Sequence, residues 1–163
     1  MAIAAPLALY ETEVRPEWVD YNDHMNVAYY VLAFDLATDA FFDFVGVGED
    51  YAGRTDRAMF AVEAHLTYQR ELRSGATLRI ATQLLGFDAK RLHFFHQMFK
   101  AGDGRPAATS EWLALHIDRA ARRSAPLPQD IAARLAAVRE AHAGLPIPPE
   151  VGRLIALKPP RAS

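Results

Sequence analysis

Apolar positions along this chain recur at two different periods. From Asn26 to Val45, the residues Val27, Tyr30, Val31, Phe34, Phe41 and Val45 fall at helical spacing, while Tyr29, Leu32, Leu36 and Phe42 fill much of the remaining circumference. That pattern predicts a helix buried on most sides, with its stop in the glycine cluster "GVGEDYAG", where a left-handed cap is available. Further on, the period drops to two. "AMFAVEAHLTYQREL" places Phe60, Val62, Ala64, Leu66 and Tyr68 on one face and Ala61, Glu63, His65, Thr67 and Gln69 on the other, as in an antiparallel strand. "TLRIATQLLGF" and "RLHFFHQMFKAG", separated by the polar "DAK", predict a hairpin, and "GDGRP" turns the chain into a further strand, "AATSEWLALHID". Ahead of the helix, Leu7 to Val14 alternates loosely up to Arg15-Pro16 and reads as a short first strand. Behind the strands, Gln129 to His142 carries Ile131, Leu135 and Val138 on one stripe and runs on to Gly144, which predicts a surface helix.

A strand, a buried helix and then consecutive antiparallel strands exclude a doubly wound parallel sheet. The order predicts an α+β domain in which an antiparallel sheet of about five strands curls around one long central helix, with a C-terminal helix added. Residues 1–145 are expected to form this domain and residues 146–163 an irregular proline-rich tail. A length of 163 residues with 51% hydrophobic content suits a single core. A net charge of −2 and the lack of a basic face argue against nucleic-acid or membrane partners. No cysteine is present, so disulfides, thiolate ligands and cysteine nucleophiles drop out and any nucleophile is oxygen-based. The opening "MAIAAPLALYETEV" lacks a basic n-region and meets an acidic residue early, so neither a secretory leader nor a membrane span is expected, and the cytoplasm is the expected location.

Directly before the greasy helix stands "WVDYNDHMN". Asp20, Asn22 and His24 are spaced by two, so their side chains converge only if the loop keeps strand-like alternation. The amides near Asn26 to Tyr29 then form the positive pole of the helix, which suits a developing oxyanion. A carboxylate beside that pole can attack a carbonyl or activate water that does so. The competing reading is structural: Asp and Asn ahead of a helix commonly serve as caps, and this stretch offers several.

The run Asp20-Tyr-Asn22-Asp23-His24-Met-Asn26, followed by Tyr29-Tyr30, resembles the helix-entry motif of hotdog-fold thioesterases of the 4-hydroxybenzoyl-CoA thioesterase type. It is also similar to the Asp-x-Asn-x-His-x-Asn motif of plant acyl-carrier-protein thioesterases. The likeness extends from about Val14 to Pro128 and takes in the strand order. More narrowly, "PEWVDYNDHMNVAYYVLAFDLATDAF", "FDAKRLHFFHQM" and "ATSEWLALHID" resemble the betainyl-CoA-hydrolysing branch, which serves carnitine catabolism. The resemblance implies a hotdog fold and a hydrolase that cleaves an acyl-CoA, with betainyl-CoA as first choice. It implies Asp20 as the catalytic carboxylate, nucleophile or general base, with Asn22 and His24 orienting water, substrate or that carboxylate. It further implies a homodimer with active sites at its interface, with a dimer of dimers, a homotetramer, as the further assembly. A thiolate leaves readily, so one carboxylate with oriented donors suffices. Two positions depart from the pattern: Asp23 stands where many relatives have glycine, and Val27 where many have a second Asn. Asp tolerates the left-handed conformation better than most residues, and capping is the role expected of Asp23.

Other constellations change the picture less. Glu63 and His65, with Glu111 and His116, have metal-ligand spacing, yet His93 and His96 point to opposite strand faces and leave no third ligand, so no metal is expected. No other cofactor is expected. Asp35, Asp39 and Asp43 form a repelling stripe at helical spacing, read either as a solvated edge or as an anion for a quaternary ammonium group. In the second reading Asp35 joins aromatic residues drawn from Trp18, Tyr29, Tyr68 and Trp112. Substrate contacts are accordingly expected at Asn26, Tyr29, Asp35, Tyr68 and Trp112. Arg70, Arg73, Lys90 and Arg91 are candidates for coenzyme A phosphates that surface solvation explains equally well. Two further functions fit the same residues: a hotdog hydratase or dehydratase, and a non-catalytic binding module for acyl-CoA or a quaternary amine.

Overall fold

A computed structural model describes residues 2–157. Strand β1 (Leu7–Glu13) leads through a 3-10 turn (Pro16–Trp18) into helix α1 (Val27–Val45), then the short helix α2 (Glu49–Arg54). Four long strands follow, β2 (Arg57–Tyr68), β3 (Thr77–Phe87), β4 (Arg91–Lys100) and β5 (Pro106–Asp118), then β6 (Arg123–Ser124) and helix α3 (Gln129–Ala141). The sheet runs β1-β3-β4-β5-β2 with β6 beside β5, and every pairing is antiparallel. With α1 lying in the curl of this sheet, the fold is the hotdog arrangement expected from the sequence. The short α2 and β6 are additions that carry too few residues to show a period.

Helix α1 begins where Asn26 accepts a hydrogen bond from the Ala28 amide at 3.0 Å, and it ends at Gly46 in the left-handed region (φ 89°). The left-handed backbone is what calls for glycine at this position, since the nearest neighbour, the tip of the flexible Arg134 side chain of α3, could move aside. The buried stripe of α1 includes Phe34, Phe41 and Phe42, of which Phe41 and Phe42 pack with Phe94 of β4. Burying each such ring stabilises the fold by roughly 1.5–3 kcal/mol, which anchors the helix far more firmly than its cap does. One polar tie crosses this core: His96 of β4 bridges Thr38 of α1 and Thr82 of β3, each at 2.9 Å, and stacks on Phe34. Its burial pulls the imidazole down to about 3, so the ring is neutral near pH 7.

Strand β2 departs from the simple alternation. Its register against β5 slips between Ala61 and Glu63, so Val62 is an extra residue and the strand changes faces at that point. Leu66 and Tyr68 thus face α1, while Phe60 stands on the opposite side, correcting the expectation that all share one face. At the other side of the fold, the β3–β4 turn is closed by Asp88, which accepts from the Lys90 and Arg91 amides at 2.8 Å. The Arg91 guanidinium holds its carboxyl down at about 2. The segment beyond α3 lies against the sheet, where Gln69 donates to Glu150 and the Gly152 amide donates to Glu111, both at 2.7 Å. No helix among the described residues is long and apolar enough to cross a membrane.

Candidate active site

The stretch before α1 folds into a miniature hairpin. Val19 and Met25 form an antiparallel bridge, flanked by Asp20 N–H to His24 O at 3.0 Å and Asn26 N–H to Trp18 O at 2.8 Å. Residues 21–23 make its tip: the Asp23 amide returns to the Asp20 carbonyl at 3.0 Å, and Asp23 itself is left-handed, φ 60°. This is the three-residue hairpin loop that ordinarily wants glycine at its left-handed position. Asp23 is therefore a turn residue, not the cap expected from the sequence; Asn26 does the capping. The hairpin is moored to the rest of the fold by Met25 N–H to Leu72 O at 2.7 Å.

Opposite residues in an antiparallel pair present their side chains on the same side, so Asp20 and His24 share a face. Asp20 is half-buried and fixed at both oxygens: Oδ1 accepts from the Asn22 amide at 2.9 Å and Oδ2 from the Asn26 side chain at 3.2 Å. Asn26 thus caps α1 with its oxygen and aims the carboxylate with its nitrogen. Asn22 meets Asp20 through its backbone, while its side chain is in solvent. His24 does not bond to Asp20. Its Nε2 lies 2.7 Å from a Glu71 oxygen, a close contact without hydrogen-bond alignment. Of the amides from Asn26 to Tyr29, Ala28 goes to the Asn26 side chain and Tyr29 to the Asn26 carbonyl, which leaves Val27 as the open donor at the helix pole among the described residues. The sequence gives no signal for Glu71, because it lies 47 residues from His24 and only the folded sheet brings it there.

The expected substrate contacts scatter. Tyr29 stacks on Trp18 at 5.5 Å, nearly parallel, and Arg15 lies 5.3 Å from the same indole, so the Trp18 ring is already occupied. Trp112 is buried in the core with its indole N–H given to Ser110. Asp35 lies exposed on α1 with Asp39 and Asp43; Asp39 has its carboxyl pushed up by partial desolvation and then by its acidic neighbours. Asn26 belongs to the hairpin itself, and Tyr68 lies beside it. It meets Tyr30 edge-on at 5.3 Å, and a 280 Å³ pocket lined by His24, Tyr30, Tyr68 and Glu71 opens there. On the outer sheet face, Glu111 pairs with His93 at 2.7 Å, whereas His116 is buried on the other face against Tyr51 and the Ala125 carbonyl. Glu111 and His116 therefore do not meet. No three His, Asp or Glu side chains converge as a metal set among the described residues.

Comparison with known proteins points the same way. The family described as the Thioesterase-like superfamily matches residues 14–135. A "Betainyl-CoA thioesterase" of Pseudomonas aeruginosa is 43% identical, over 95% of this chain and 98% of that protein. Among solved structures, one titled a putative thioesterase from Pseudomonas putida superposes with a TM-score of 0.84 at 38% identity, covering 96% of this chain and 99% of that one. A hypothetical protein from Staphylococcus aureus, solved in complex with CoA, gives a TM-score of 0.87 at 26% identity, covering 97% and 100%.

Proposed function

Since the chain belongs to the Thioesterase-like superfamily, matched across residues 14–135, we propose that it hydrolyses an acyl-CoA thioester, with betainyl-CoA as its first substrate. The observation that carries this is Asp20: one carboxylate, held at both oxygens, at the opening of α1 and beside an open backbone amide. In the proposed reaction the thioester carbonyl oxygen sits against the Val27 amide, and Asp20 attacks the carbonyl carbon or takes a proton from the water that does. The carbon–sulfur bond breaks, and the thiolate leaves as coenzyme A. Water supplies the oxygen of the acid product, either directly or by hydrolysing the acyl–Asp20 anhydride left by direct attack, so no metal or redox cofactor enters the proposal. The choice of acyl group rests on the Pseudomonas aeruginosa relative, and the coenzyme A portion on the Staphylococcus aureus neighbour solved with CoA.

A second copy of the chain belongs to the same proposal. Strand β2 ends the sheet with one side unpaired, and Phe60, Val62 and Tyr68 on it are about half exposed; α1 in turn exposes the apolar residues Val27, Val31 and Leu32. An uncovered edge of this kind invites pairing, and a homodimer through β2 would cover it. The enzyme so described is a cytoplasmic homodimer. A thiol-release assay across straight-chain, aromatic and betainyl thioesters tests the proposal. Release of free coenzyme A with betainyl-CoA as a leading substrate is expected; ligand binding without release across the panel would contradict it.

A further inference from the structure

Resting on that reading, we propose that Glu71 and Tyr68 form the subsite that recognises the substrate's quaternary ammonium group. The chemistry of the acyl group restricts where such a subsite can lie. In a betainyl thioester the nitrogen is two bonds from the carbonyl carbon, so the groups that recognise it must stand beside the catalytic carboxylate. Asp35 of the same chain fails this condition, because nine residues of helix beyond Asn26 place it roughly 13 Å farther along the α1 axis. Trp112 fails because it is buried in the core, and Trp18 because Tyr29 and Arg15 already lie against its ring.

Glu71 reaches the catalytic side of the hairpin through His24, which stands opposite Asp20. The strand segment around Met25 is the middle rail between Val19 on one side and Leu72 on the other, so Glu71 flanks the same hairpin that carries Asp20. Its Oε2 touches His24, and Oε1 faces no hydrogen-bond donor among the described residues. Tyr30 and Tyr68 form the aromatic side of the pocket. The Tyr30 hydroxyl donates to the Arg70 carbonyl at 3.2 Å, which locks its ring and leaves Tyr68, 49% exposed, as the open aromatic surface. Burial above all holds the Tyr30 hydroxyl above its ordinary range, with the Glu71 carboxylate a smaller contribution in the same direction. A carboxylate opposite an aromatic ring is the arrangement that attracts a cation unable to donate hydrogen bonds. Arg70 also lines this pocket, and the pairing of its guanidinium with Asp103 in the β4–β5 turn offsets its charge toward a cationic substrate.

The test compares betainyl-CoA with tert-butylacetyl-CoA, which has the same shape with carbon in place of the charged nitrogen. The ratio of kcat/KM for the two thioesters is measured in the wild-type dimer and in Glu71→Gln. A fall in this ratio of at least fivefold in the variant is expected. A smaller fall, including an equal loss on both thioesters, would overturn the assignment, because a Glu71 that merely steadies His24 affects both alike. A wild-type enzyme that turns over the two equally well would also overturn it, while leaving thioester hydrolysis standing. Failure to release thiol from any thioester would instead sink the functional reading itself.

Discussion

Asp23 holds a backbone angle that suits glycine, and its carboxylate contributes no capping bond. The turn tolerates it because Asp enters the left-handed region at less cost than most side chains. Asp23→Ala is expected to lower stability by about 1 kcal/mol, while Asp23→Gly is neutral or stabilising; urea titration of the three proteins measures the difference. At this scale the sequence showed the chemistry-bearing residues but not their partners. Asp20 and His24 were singled out by the resemblance, since spacing alone left capping open; they share a face because a hairpin, not strand-like alternation, sets them opposite each other. That the side chain holding Asp20 is Asn26, and that His24 lies against Glu71, follows only from contacts made in the folded chain.

Helix α1 and the hairpin before it meet at Asn26, which has two separable duties. Asn26→Asp keeps a good cap yet loses the donor to Asp20 and sets a second carboxylate beside it. Thermal denaturation is expected to change little while turnover falls at least tenfold. Asn26→Ala is expected to lose both, with a stability cost of about 1 kcal/mol. The long elements were legible because burial imposes a period on them. Strand β2 was legible as a strand but not in its facing, since a bulge at Val62 reverses the alternation without changing composition. That reversal places Tyr68 toward the pocket and Phe60 on the outer face.

For the whole molecule, two consequences concern stability and assembly. His96 is neutral in the fold, near 3, and ordinary, about 6.5, when unfolded. The unfolded chain therefore binds the extra proton below about pH 6.5, so this contribution is complete above that pH and is lost as pH falls toward 3. From pH 7 to 5 the loss is about 2 kcal/mol, and His142, also lowered by burial, adds in the same direction. Urea unfolding at the two pH values should show a shallower decline in His96→Asn; an unchanged decline would contradict this. Assembly is tested by Phe60→Glu, which puts a charge on the exposed part of β2. Light scattering is expected to give a folded monomer with little activity, against a wild type of twice the chain mass. The sequence suggested a partner through its uncovered apolar strands; the edge position of β2, which says where the partner sits, is a property of the folded sheet order.

The account depends above all on the Asp20 carboxylate. Asp20→Asn preserves shape and hairpin while removing both the base and the nucleophile, so the direct measurement is coenzyme A release from betainyl-CoA by this variant under saturating substrate. A loss of at least about a hundredfold in kcat, in a protein with wild-type melting and mass, is the expected result. Turnover within a few-fold of wild type would contradict the account.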